Sequence, residues 1–376
     1  MEQKNGKETV IFGNWESLTI IMIGICTQLF LGLPRIMAEV SGTAGWIHTM
    51  YASVLAIVLF RIGSKLYEPF AGMDILDIAQ LIAGAAGRII TGTIVITYFV
   101  FITSVVLREF SENLKIISFN LSPISFVGII LLLGMIAGAY SGIESIVRFS
   151  AIAVPVIFSG YVIIIAGVLP YADISRIFPI MGNGVGEIFL KGINKISIFS
   201  GIIYLYLIAP YIKTHKNFSK AGNQGLLISG AILSVGVLVY LLVYQYPNAI
   251  ENFLPFYQLA RIISFGRFFQ RLESLFLAVW ATSALLYLSV NHFFITFLFK
   301  KTFGLEYYKP LIIPFAIILF NLSLLPPNLT SAMELEAEYF RSYAWIVSFG
   351  LILSMLFIAK IMKKNRKEKQ LENGGK

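Results

Sequence analysis

One cysteine and three histidines occur in 376 residues, and only 13% of the chain is charged. The lone thiol, Cys26, excludes an internal disulfide and any cysteine-built metal cluster, and it reads as a small buried apolar side chain. A soluble domain carries about twice this charged fraction, so the scarcity of charge excludes a solvated surface over most of the sequence. No P-loop, HExxH, Gly-x-Ser-x-Gly or cluster of metal ligands occurs. An enzymatic reading therefore has no residues to rest on, and no cofactor or metal is expected. Nucleic acid is not an expected partner despite a net charge of +9. The basic residues fall in short connections and in the tail "KIMKKNRKEKQLENGGK", which suits anionic lipid headgroups.

What is abundant is hydrophobic sequence, 57% of the residues, with a mean hydropathy of +0.80. Apolar runs recur at the length of about 20 residues that a helix needs to cross a bilayer. The expected fold is an all-α integral membrane protein with ten transmembrane helices. They are expected near Trp15–Glu39, Trp46–Phe60, Ile89–Leu107, Pro123–Tyr140, Phe149–Leu169, Ile193–Ile212, Gly225–Tyr244, Glu273–Phe299, Leu311–Leu325 and Tyr343–Met362. The run from Trp15 lacks the flanks of a signal peptide and reads as a retained span. The organisation that follows is an N-terminus at 1–14, five spans over 15–169, an outer loop at 170–192, five spans over 193–362 and a basic tail at 363–376. One side then carries 19 of the 29 Lys and Arg, which puts both termini in the cytoplasm. "DILDIAQLIAG" reads as a short helix along the inner interface. "YPNAIENFLPFYQLARIISFGRFFQR", with Arg261, Arg267 and Arg271, reads as an anchored outer loop or an interfacial helix.

The stretch "CTQLFLGLPRIMAEVSG" puts Gly32, Pro34 and Arg35 inside the first span. Proline removes a donor and clashes with the preceding turn, yet it suits the start of a new helix. A simple kink near the outer end explains this as well as a break around residues 27–33. The sixth span tips the balance, because Ser200-Gly201 lies at mid-depth with Pro210 beyond it. Interrupted helices at matching positions of two halves point to a midplane ligand site. Freed N–H groups there suit a carboxylate, and freed carbonyls suit an ammonium group. Tyr98, Ile102 and Val105 share one face of span 3. Trp280, Ser283, Tyr287 and Asn291 form a polar-aromatic stripe on span 8. No Asp, Glu, Lys or His is expected mid-span; Arg108, Glu109 and Glu112 read as interfacial anchors and "MELEAEYF" as an outer loop.

Four stretches, "LGLPR", "SGTAGWI", "ISRIFPIMGNGVGEIFLKG" and "ARIISFGRFFQRLESLFLAVW", in this order, resemble the spore germination permease family. These are the B subunits of nutrient germinant receptors, within the amino acid–polyamine–organocation superfamily. The resemblance implies a LeuT-like 5+5 inverted repeat with broken helices 1 and 6. It implies a small germinant, such as an amino acid, as ligand. The implied partners are an A subunit and a lipoprotein C subunit in the inner membrane of the spore. The implied ligand site comprises Gly24 and Thr27 in span 1, Tyr98 and Ile102 in span 3, Ser200, Gly201 and Tyr204 in span 6, and Ser283 and Tyr287 in span 8; Gly32 is a further candidate beside them. Where the superfamily usually has Gly-x-Gly in span 1, this chain has Thr27 and Leu29. A germinant-receptor subunit is the leading reading; a secondary amino-acid transporter and a scaffold with a decayed site are the alternatives.

Overall fold

A computed structural model describes residues 10–264 and 272–374. No β-strand occurs among them; an isolated bridge joins Phe12 to Ile212. In chain order the α-helices are α1 (Asn14–Cys26), α2 (Leu33–Ser41), α3 (Gly45–Tyr67), α4 (Ile75–Ile117), α5 (Ile124–Val168), α6 (Val185–Phe189) and α7 (Ile203–Leu207). They continue with α8 (His215–Val243), α9 (Pro255–Ile262), α10 (Leu272–Phe303), α11 (Ile312–Ser323), α12 (Leu329–Glu334), α13 (Arg341–Trp345) and α14 (Ile352–Gly374). Seven helical runs among the described residues are long and apolar enough to cross a membrane, so the chain is an integral membrane protein.

That number differs from ten for physical reasons. The α1 helix stops after 13 residues, too short to span alone. The 43-residue α4 and the 45-residue α5 each continue where a loop between two elements was expected. The expected connection at 141–148 is no loop: α5 only changes direction at Gly142 (φ 81°, ψ 169°), a conformation that a side chain would disfavour. In α4 a comparable turn at Ala83-Gly84 separates the expected interfacial helix, buried through Ile75, Leu76, Ile78 and Ala79, from the long remainder. Two further expectations are corrected. "MELEAEYF" is helical rather than an outer loop: one apolar run extends over Leu329–Lys363, with π-helical turns at Leu335–Phe340 and Ile346–Leu351. The 246–272 connection, expected on the outer side, contains a helix, α9, whereas Arg267 and Arg271 lie outside the described residues.

The core is built around α1, which packs against α5, α8 and the helical segment at 191–202. Every residue from Ser17 to Ile25 is buried, as expected for a helix apolar all round. Large apolar side chains on the periphery, among them Ile90, Leu133, Ile152 and Leu227, are exposed and form the lipid-facing surface. Small residues let helices meet closely: a Cβ on Gly230 would fall 1.9 Å from Ser53 Oγ, and one on Gly138 would fall 2.3 Å from Ser289 Oγ.

At the start of α4, Asp74 accepts from the Leu76 and Asp77 amides at 3.0 Å each and receives Lys301 Nζ at 2.5 Å. Burial pushes the Asp74 carboxyl above its ordinary range, more than Lys301 pulls it down. The folded chain therefore holds a proton here more tightly than the unfolded chain. This group's contribution to stability is fullest below the ordinary carboxylate range and is lost as pH rises through the raised value. Asp74→Asn keeps a capping acceptor, so it should remove that slope from a plot of melting temperature against pH.

Candidate functional site

Helix 1 breaks as its glycine and proline require. After Cys26 comes one 3-10 turn, Thr27–Phe30; Leu31 leaves helical geometry (φ −98°, ψ 34°) and Gly32 turns left-handed (φ 79°, ψ 11°). Only glycine adopts that conformation cheaply, and Pro34 then seeds α2. The break frees the Leu31 carbonyl, which accepts from Arg341 Nη2 at 3.0 Å.

Helix 6 departs from expectation. It is not unwound at Ser200-Gly201 but wound tightly as a 12-residue 3-10 segment, Lys191–Ile202, that becomes α7 at Ile203. The interruption is thus a change of hydrogen-bond register. Such runs rarely exceed three or four residues, and a long one marks strain or a hinge.

Gly24 and Gly201 face each other at the crossing of helices 1 and 6. A Cβ on Gly201 would come within 2.6 Å of the Gly24 carbonyl carbon, and one on Gly24 within 2.5 Å of the Tyr204 ring. These two expected ligand residues therefore set a helix contact and leave no space between them. Thr27 donates its hydroxyl to Ile23 O at 2.7 Å and meets Ser283 Oγ at 2.8 Å, so Ser283 is the donor in that pair. Ser283→Ala leaves Thr27 its backbone partner, and its expected cost is about 1 kcal/mol, read as a small drop in melting temperature. Neighbouring Gln28 donates Nε2 to Ile198 O at 3.1 Å, while its Oε1 is buried without a partner.

The other predicted residues converge beside the break. The Tyr98 hydroxyl lies beside the Ser200 side chain. Tyr204 donates its hydroxyl to Asn291 Oδ1, which leaves Asn291 Nδ2 buried and unpartnered. Tyr287, one turn before Asn291 on α10, lies within the electrostatic reach of Tyr98, Glu336 and Arg341. Phe99 and Phe294 flank the Tyr204 ring at centroid distances of 6.0 and 5.3 Å. Ile102 is part of the buried apolar core. Gly32 stands apart from this cluster, next to Met333 and the Phe253 carbonyl. A cleft of ≈ 30 Å³ behind helix 1, lined by Cys26, Tyr161 and Ser283, has room for water but not for an amino acid.

Sequence reading missed the charged part of the site. Glu109, Glu336 and Arg341 are buried to 1%, 1% and 0% exposure, so the anchor reading of Glu109 is corrected. Glu336 and Arg341 form an ion pair at 2.8 Å. They are five residues apart across a π-helical turn, and a search for partners four apart passes over such a pair. Arg108, by contrast, pairs with Glu112 four residues on at 2.8 Å and donates to Pro327 O at 3.1 Å.

The chain itself has known relatives. The "Spore germination protein KB" of Bacillus subtilis (strain 168) is 21% identical over 344 residues, covering 88% of this chain and 90% of the relative. "Spore germination protein YndE" of the same organism is 24% identical over 362 residues, covering 93% and 96%. Among solved structures, Mhp1, a nucleobase-cation-symport-1 family transporter in a closed conformation with bromovinylhydantoin bound, has a similar fold. The TM-score is 0.65 at 14% identity, over 90% of this chain and 79% of that one. Residues 15–331 match the profile described as spore germination protein, the spore permeases, and the chain belongs to that family.

Proposed function

We propose that this chain is the membrane subunit of a spore nutrient-germinant receptor, binding a small germinant of the amino-acid class where helix 1 breaks. One observation carries the reading: the break at Leu31–Gly32 lies near a polar-aromatic cluster of Tyr98, Ser200, Tyr204, Tyr287 and Asn291. Dividing α5 at Gly142, joining α1 to α2 and counting α11 as a span gives ten spans in two halves of five, and the Lys and Arg bias then favours cytoplasmic termini. The partners are an A subunit and a lipoprotein C subunit in the inner membrane of the spore. Binding acts by favouring one of two states of the subunit, which requires different affinities for them.

The test is germination of spores lacking the gene: loss of the response to at least one nutrient is expected, and unchanged responses to all would refute the proposal. Tyr98→Phe removes one hydroxyl at the cluster. A neutral hydrogen bond is worth about 0.5–1.5 kcal/mol, so the germinant concentration for half-maximal response should rise about 2- to 12-fold. A second reading, secondary transport of an amino acid, is favoured by the fold shared with Mhp1. Uptake of labelled amino acid into proteoliposomes holding this chain alone would support it.

A further inference from the structure

Three charged groups meet in the interior, and they do not balance. The Glu109 and Glu336 carboxylates share a dry environment with one guanidinium, that of Arg341. Glu109 Oε1 has no hydrogen-bond partner, and neither do Arg341 Nε and Nη1. Two acids against one base leave one negative charge inside, a state that burial strongly disfavours. The neighbouring cations do not repair this. Arg108, next to Glu109, is committed to Glu112 and to Pro327 O. Lys195, in the 3-10 segment Lys191–Ile202, divides its field between Glu336 and Glu39. Tyr287, which faces Glu336 and Arg341 from α10, is neutral.

We propose that Glu109 and Glu336 form a proton-binding site, holding one exchangeable proton that governs the grip of Arg341 on the break in helix 1. With the proton bound, Arg341 pairs with Glu336 and donates Nη2 to the Leu31 carbonyl at 3.0 Å. On its release, Glu109 becomes an anion in the field of the same guanidinium, whose Nε and Nη1 are unused. Arg341 is then drawn between two carboxylates and the carbonyl, which loosens the anchor of the broken segment. The ligand is a proton, whatever germinant the chain recognises, so this inference stands apart from the proposed function.

Infrared difference spectroscopy of the full chain in lipid nanodiscs across a pH step tests it. A protonated-carboxyl C=O band should fade as pH rises and move to lower frequency in D2O. Because Asp74 also holds a proton tightly, the spectra are taken in an Asp74→Asn background, where the band should persist, survive Glu112→Gln and vanish in Glu109→Gln. Absence of the band in Asp74→Asn, or its survival in Asp74→Asn/Glu109→Gln, overturns the proposal. Should Glu109→Gln fail to fold, Glu336→Gln decides: a shared proton requires the titration midpoint to move, and an unmoved midpoint overturns the sharing.

Discussion

Replacing Arg341 with methionine should lower stability by about 3–5 kcal/mol, the cost of leaving a buried ion without its partner. The side chain is fully buried, and its loss strands Glu336 and removes the donor to Leu31 O. Near neutral pH the expected outcome is little folded protein in detergent extracts, followed by thermal melting of a tagged chain. Acidic buffer should recover part of it, because both carboxyls can then be neutralised. A second substitution distinguishes charge from packing. Combining Arg341→Met with Glu336→Leu removes both members of the pair, and such apolar replacement is often neutral or stabilising. The double variant should therefore be more stable than Arg341→Met alone. If the two melt alike, shape rather than charge dominates at this position.

The second large effect is expected at Gly201. Its missing Cβ would fall 2.6 Å from the Gly24 carbonyl carbon and 2.8 Å from the carbonyl oxygen, both backbone atoms that cannot rotate away. Gly201→Ala must push helices 1 and 6 apart, and overpacking of this kind costs about 1–3 kcal/mol. Gly201→Val should exceed that range and abolish the germinant response. Gly24→Ala behaves differently, since its clash is with the Tyr204 ring. Trimming the ring in Gly24→Ala/Tyr204→Leu should restore melting temperature, whereas no second substitution can rescue Gly201, because its neighbour has no side chain to remove. Immunoblots of spore membranes separate loss of the protein from loss of response. An unaltered response in Gly201→Val spores would favour a scaffold whose site has decayed.

Much of the architecture was legible because membrane burial imposes a strong length and composition signal. The break at Gly32-Pro34 could be read from residues with few backbone options, and the aromatic stripe on span 8 from its spacing. Helix ends were less legible. Arg108, Glu109 and Glu336 look like interfacial residues when judged by charge alone, yet the helices carrying them continue past the expected ends. The match between Glu336 and Arg341 depends on a π-helical turn, which no apolar periodicity announces. Gly24 and Gly201 stand out in the sequence as mid-span residues without a side chain, but sequence cannot distinguish a glycine that admits a ligand from one that admits another helix. At Thr27 the departure from glycine has a local explanation: its hydroxyl completes a chain from Ser283 to the Ile23 carbonyl.

The tight winding of Lys191–Ile202 makes this segment a screw as well as a wall. A 3-10 helix rises about 2.0 Å per residue with three residues per turn, against about 1.5 Å and 3.6 for an α-helix. Relaxing all twelve residues to α geometry would shorten the segment by about 6 Å and swing its far end through about two-thirds of a turn. Ser200 would travel with it, trading its tyrosine neighbour for another facing. A modest change of pitch along one rod can therefore be converted into stroke and rotation.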